Sequence, residues 1–93
     1  MYAATKGAIE AFSMNVAREW GSKGIRSNCV VPGFMETAMS STLSETEREK
    51  IFSRTALRAA TSIASVAATV DFLLSDGSLS VTGQEFIVDA GTI

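Results

Sequence analysis

Ile25-Arg26-Ser27-Asn28-Cys29-Val30-Val31-Pro32-Gly33 decides how this chain folds. From Ile25 to Val31 the stretch reads as a strand, with Arg26 and Asn28 on one side and Ile25, Ser27, Cys29 and Val31 on the other. The consecutive Val30 and Val31 suggest burial on both faces, as in parallel sheets. Pro32 has no amide to donate and Gly33 admits backbone angles other residues resist, so the strand breaks there and a loop follows. In open α/β sheets the carboxyl ends of strands are where ligands bind. Gly33 and Thr37 therefore stand where backbone and hydroxyl groups could reach a nucleotide.

Upstream, from Ala3 to about Ser22, there is no proline, and Ile9, Phe12, Val16 and Trp20 recur at three- and four-residue steps, the period of a helix. Glu10, Arg18, Glu19 and Lys23 fall off that stripe, and Gly7, Ala8 and Ala11 are small enough to let another helix approach. Tyr2 and Lys6 open the segment four residues apart, which places a phenol and an ammonium on one helical face. A free tyrosine, with a pKa of about 10, exchanges protons poorly at neutral pH. A lysine one turn away and the positive end of the helix dipole both favour its phenolate. If that face lines a cleft, the pair is an acid/base device.

Downstream, Ser44-Glu45-Thr46-Glu47 has the form of a capping box, predicting a short surface helix to about Arg54 whose apolar residues are mainly Leu43, Ile51 and Phe52. Thr61 or Ser62 caps a last helix carrying Ile63, Val66, Ala67, Val70, Leu73 and Leu74, which Asp76-Gly77 stops. A final strand runs from Glu85 to Asp89. No internal repeat or low-complexity tract interrupts this order.

Composition narrows the functions open to the chain. Ninety-three residues make one domain at most, and 46% hydrophobic against 19% charged residues argues for a segment that buries much of its surface. A net charge of −2 with dispersed signs offers no basic stripe for nucleic acid and no polybasic patch for a bilayer. The charge-free run between Arg58 and Asp71 is shorter than the roughly 20 residues a membrane span needs. The first residues lack the basic flank and apolar run of a secretory leader, so a cytoplasmic chain is expected. With one cysteine and no histidine, no internal disulfide, no usual transition-metal site and no Ser-His or Cys-His catalysis is expected; Cys29, inside a strand, reads as a small buried hydrophobe.

Tyr2-Ala3-Ala4-Thr5-Lys6-Gly7-Ala8 opening a helix, Val30-Val31-Pro32-Gly33-Phe34-Met35-Glu36-Thr37-Ala38-Met39 leaving a strand, and Val81-Thr82-Gly83-Gln84 with Val88-Asp89-Ala90-Gly91 near the end follow one another in a set order. Together they resemble the short-chain dehydrogenase/reductase family over essentially the whole sequence, most closely its 3-oxoacyl-[acyl-carrier-protein] reductases. The resemblance implies an α/β fold: the C-terminal portion of a Rossmann-like doubly wound parallel sheet, with two strands and about three helices. Residues 1–93 then form a partial domain without the N-terminal nucleotide-binding half. Its implied activity is NAD(P)(H)-dependent carbonyl reduction or alcohol oxidation, extending to 3-oxoacyl thioesters. Tyr2 and Lys6 are the implied catalytic pair, and Tyr2, Lys6, Pro32, Gly33 and Thr37 the implied contacts to NADP or NAD, with Thr37 near the phosphates and no metal.

The same resemblance implies that the first helix packs against its copy in a second subunit and that the 44–54 segment covers the substrate as a mobile flap. Two departures stand out. Thr61-Ser62-Ile63-Ala64-Ser65 replaces the proline and acidic residues that usually lead into the last helix, and Ala90 replaces a common glycine. None of the seven glycines forms a Gly-x-Gly-x-x-Gly turn, and the family's carbonyl-polarising serine has no counterpart. The chain alone is therefore expected to be inactive, its partners being a nicotinamide dinucleotide and a ketone or secondary alcohol in an intact enzyme, with self-association or pairing with a reductase subunit. The alternative is a noncatalytic oligomerisation or interaction module built from the same fold.

Overall fold

A computed structural model of the chain describes residues 2–37 and 42–92, the side chain of Tyr2 excepted. Helix α1 (Tyr2–Trp20) runs into a 3-10 turn (Gly21–Lys23), and Gly24 ends it in the left-handed conformation at φ 80°. Strand β1 (Cys29–Pro32) follows, then α2 (Glu45–Ser53), α3 (Ile63–Leu73), a further 3-10 turn (Asp76–Ser78) and strand β2 (Glu85–Val88). The strands pair in parallel, with Cys29 opposite Glu85 and Pro32 opposite Val88, so the chain between them is a long crossover that includes α2 and α3. This is the α/β architecture with a parallel sheet that the sequence predicts.

The first strand is shorter than expected. Regular pairing begins at Cys29, four residues after Ile25; before it a single backbone bond, Gly83 N to Ser27 O at 2.8 Å, is supplemented by side chains. Ser27 N donates to Thr82 Oγ1 (3.1 Å), and Asn28 spans the gap by donating from Nδ2 to Val81 O (3.0 Å) and accepting at Oδ1 from Gln84 N (3.0 Å). Arg26 donates to Val81 O (3.1 Å) and Leu73 O (3.0 Å), placing a cation on the last carbonyls of α3, where the helix dipole is negative. Pro32 closes the strand as its last residue, and Gly33 N still donates to Val88 O at 3.0 Å.

Both later helix starts are capped. Ser44 accepts from Glu47 N while Glu47 accepts from Ser44 N, the reciprocal box the sequence predicts. Of the two candidate caps for α3, Ser62 is the one used, its Oγ accepting from Ser65 N at 3.2 Å. Thr61 is instead buried beside the loop that leaves β1.

Helices flank the sheet. Cys29 borders two grooves beside α1, and Val30 borders one beside α3 with Val70 and Leu73 as well as the first groove beside α1. Much of the stripe on α1 is left uncovered by the sheet: Ile9, Phe12 and Trp20 are 60%, 71% and 48% exposed, while Val16 is half-buried. Ala17 and the half-buried Lys6, Glu10 and Ser13 form the inner face instead, with Ser13 Oγ 2.7 Å from Ser27 Oγ. Helical periodicity located the helix correctly, and much of its apolar stripe is left uncovered by this sheet.

Candidate functional site

Between α1 and β1 lies an open groove of about 390 Å³, lined by Thr5, Lys6, Ile9 and Glu10 from the helix and by residues 28–32 from the strand. Lys6 and Pro32 thus share one groove. Tyr2 begins α1 one turn before Lys6; its side chain lies outside the described residues, as do Ala38 and Met39 of the strand-exit motif. Gly33 and Thr37 follow Pro32 at the carboxyl end of the strand, and Thr37 is exposed.

Gly33 has a packing role. A Cβ built there would fall 2.7 Å from Asp89 Cα, Asp89 Cβ and Thr61 Oγ1, so the bare backbone lets the loop cross over the end of β2. Thr61 N then donates to Phe34 O at 2.7 Å, pinning the next residue. The loop leaving β1 is therefore seated on Thr61 and Asp89.

Glu10 was not expected at the site. Its Oε1 is buried without a hydrogen-bond partner among the described residues, at the seam between the 390 Å³ groove and a neighbouring one lined by Ser13, Met14 and Gly83. The signal was present in the sequence: Glu10 stands one turn beyond Lys6 on the same face, which only the direction of the sheet makes inward. Cys29 is half-buried and borders both grooves. Among the described residues no three His, Cys, Asp or Glu side chains gather as a metal site, and no helix is long and apolar enough to cross a membrane.

The described residues offer an ammonium at Lys6, a hydroxyl at Thr5 and a groove beside the carboxyl half of a parallel strand. These groups suit the nicotinamide-ribose end of a dinucleotide, whose diol accepts from an ammonium. They include no glycine-rich turn for the pyrophosphate.

A parallel strand ending in Pro32-Gly33, with Lys6 of α1 and Pro32 on one groove, is an arrangement consistent with the short-chain dehydrogenase/reductase resemblance of the sequence. Comparison with known proteins agrees: the family model for enoyl-(acyl carrier protein) reductase matches residues 1–92. The chain is 40% identical over 90 residues to the 3-oxoacyl-[acyl-carrier-protein] reductase FabG of Pseudomonas aeruginosa, covering 97% of this chain and 36% of that protein. It is also 40% identical over 93 residues to a tropinone reductase homolog of Arabidopsis thaliana, covering 98% of this chain and 35% of that one. Among solved structures, 4-hydroxyisoleucine dehydrogenase complexed with NADH superposes with a TM-score of 0.89 at 26% identity, covering 97% of this chain and 38% of that chain. The chain belongs to the short-chain dehydrogenase/reductase family, as a C-terminal part most like the 3-oxoacyl-[acyl-carrier-protein] reductases. It spans little more than a third of the length of the relatives it matches.

Proposed function

We propose that this chain carries the proton-transfer half of an NAD(P)H-dependent carbonyl reductase site, with Tyr2 and Lys6 as its catalytic pair. The observation that carries the reading is that Lys6, one turn after Tyr2 on α1, lines the groove beside the carboxyl half of β1. Tyr2 would donate its phenolic proton to the carbonyl oxygen of a ketone or 3-oxoacyl thioester. Lys6 stabilises the phenolate left behind and donates to the ribose hydroxyls, with the N-terminal dipole of α1 acting in the same direction. Pro32 and Gly33 present the loop backbone, and Thr37 a hydroxyl for the phosphate side. Bound NADH or NADPH supplies the hydride.

The described residues provide neither a pyrophosphate cradle nor a second donor to the carbonyl. Since pre-organised donors and positioning carry much of such a rate, the 93 residues alone should show negligible turnover. NADPH absorbance with a small ketone tests this. Robust oxidation by the pure chain would overturn the expectation of inactivity. In a polypeptide that joins this chain to the preceding part of a reductase, Tyr2→Phe should lower the rate by about 10²- to 10⁴-fold; an unchanged rate would overturn the catalytic assignment.

The exposed stripe of Ile9, Phe12 and Trp20 favours a second reading, in which the chain works as a noncatalytic module that binds a copy of itself or a reductase subunit. Sedimentation separates the two: association that Phe12→Glu abolishes, without any effect of NADPH on melting, supports the module.

A further inference from the structure

Helix α2 makes at most marginal contact with the sheet or the other helices, and its first turn is held by its own capping box. Among the described residues, two side-chain contacts join α2 to the loop leaving β1. The Arg48 guanidinium pairs with the Glu36 carboxylate, and the rings of Phe34 and Phe52 meet with centroids 6.2 Å apart, tilted by 57°. Arg48 and Phe52 stand one turn apart on the same side of α2, and Glu36 and Phe34 two residues apart in the loop, so the contacts form a two-point attachment. The far end of α2 is anchored separately, where Thr55 Oγ1 donates to Phe52 O at 2.9 Å and Thr55 bridges Thr92.

We propose that these four side chains form a clasp that makes α2 and the loop bearing Thr37 move as one body, so that whatever engages one segment also orders the other. The clasp is half electrostatic. Its ionic point is partly exposed, with Arg48 and Glu36 at 26% and 42%, and so it weakens with salt and with loss of either charge, while its aromatic point does not. A joint of this kind lets charge near position 36 set how often α2 lifts from the strand exit. The inference concerns the chain itself and stands whether or not Tyr2 and Lys6 are catalytic.

Hydrogen exchange on the full chain tests it, followed at the amides of α2, with those of β2 and α3 as internal reference. Glu36→Gln and Arg48→Gln should each speed α2 exchange by about two- to fivefold, the range of an exposed ion pair. The double variant should be no faster than either single one, and the charge-exchanged pair Glu36→Arg with Arg48→Glu should restore protection. Raising salt should speed α2 exchange in the unmodified chain and leave the double variant unaffected. Unchanged α2 exchange in both single variants, or strictly additive effects in the double variant, would overturn the clasp. Phe52→Leu should add its effect to that of Glu36→Gln, since the two points act in parallel; a loss that appears only in β2 and α3 would equally count against it.

Discussion

Gly33 and Asp89 approach so closely that the α-carbon of the second lies 2.7 Å from where a Cβ on the first would stand. The contact joins the ends of the two strands: Gly33 N donates to Val88 O, and Thr61 fills the remaining side. Gly33→Ala would drive a methyl group into the backbone of β2, and neither Asp89 Cα nor the buried Thr61 can swing aside. The expected cost is about 1–3 kcal/mol, as for other overpacked sites. Urea unfolding of the variant should show a lower midpoint at unchanged slope; an unaltered midpoint would mean that the loop does not cross β2 as described.

Ala90 carries backbone strain. Its φ of 60° lies in the left-handed region, where a Cβ costs roughly 1–2 kcal/mol, and its carbonyl accepts from Leu57 N at 3.0 Å, so the tail cannot relax without losing that bond. Ala90→Gly removes the strain but adds freedom to the unfolded chain, leaving a net gain of about 0.5–1 kcal/mol. Thermal melting should rise by a few degrees. A lower melting temperature would show that Ala90 makes packing contacts worth more than its backbone strain.

These two positions mark how far the sequence could be read. The capping box at Ser44, the helix through Lys6 and the parallel character of Val30-Val31 follow from local chemistry, and the structure has them. The choice between Thr61 and Ser62 does not, because both residues are good caps; what separates them is the space beside Gly33, a contact across 28 positions of sequence. Residues 25–28 alternate like a strand, yet Arg26 and Asn28 take over the ladder with side-chain bonds to residues that come more than 40 positions later. The orientation of α1 was equally hidden. An apolar stripe announces that a face will be covered, without saying by what, and here it turns Glu10 inward and Phe12 outward. Of the proposed site, Lys6 and Pro32 come together in one groove, and Gly33 is held by packing that only the fold reveals.

Arg26 offers a test of the side-chain ladder. Its guanidinium serves carbonyls of both α3 and the turn before β2, and Ser78 Oγ stands 2.9 Å from the same Leu73 oxygen. Arg26→Met keeps the apolar stem and removes both donations, leaving Val81 O without this cation and the end of α3 without its positive charge. Hydrogen bonds from charged groups are worth about 1.5–3 kcal/mol, so a loss near the lower end is expected for this half-buried residue. Loss of exchange protection should concentrate in the last turn of α3 and at residues 81–84. A variant as stable as the parent would show that water replaces the guanidinium at no cost.

Acid stability should depend on Asp89. Its carboxylate is held below the ordinary aspartate range first by the Thr92 backbone N–H, then by that of Gly91, both of which donate to Oδ1, at 3.2 and 2.9 Å. Glu47 is lowered in the same direction by the Ser44 backbone N–H and, to a smaller degree, the Ser44 hydroxyl. A carboxylate whose pKa is lower in the folded than in the unfolded chain binds fewer protons when folded. Its contribution is therefore fully present above the unfolded pKa of about 4 and drains away as the pH falls through the lower folded value. The urea midpoint should be flat from about pH 7 to about pH 5 and fall below about pH 4. Asp89→Asn carries no ionisable group, so its midpoint should be lower at neutral pH and decline less steeply in acid, with Glu47→Gln doing the same for exchange protection in α2. Parallel acid limbs for parent and Asp89→Asn would show that the turn at Gly91 and Thr92 holds without the charge.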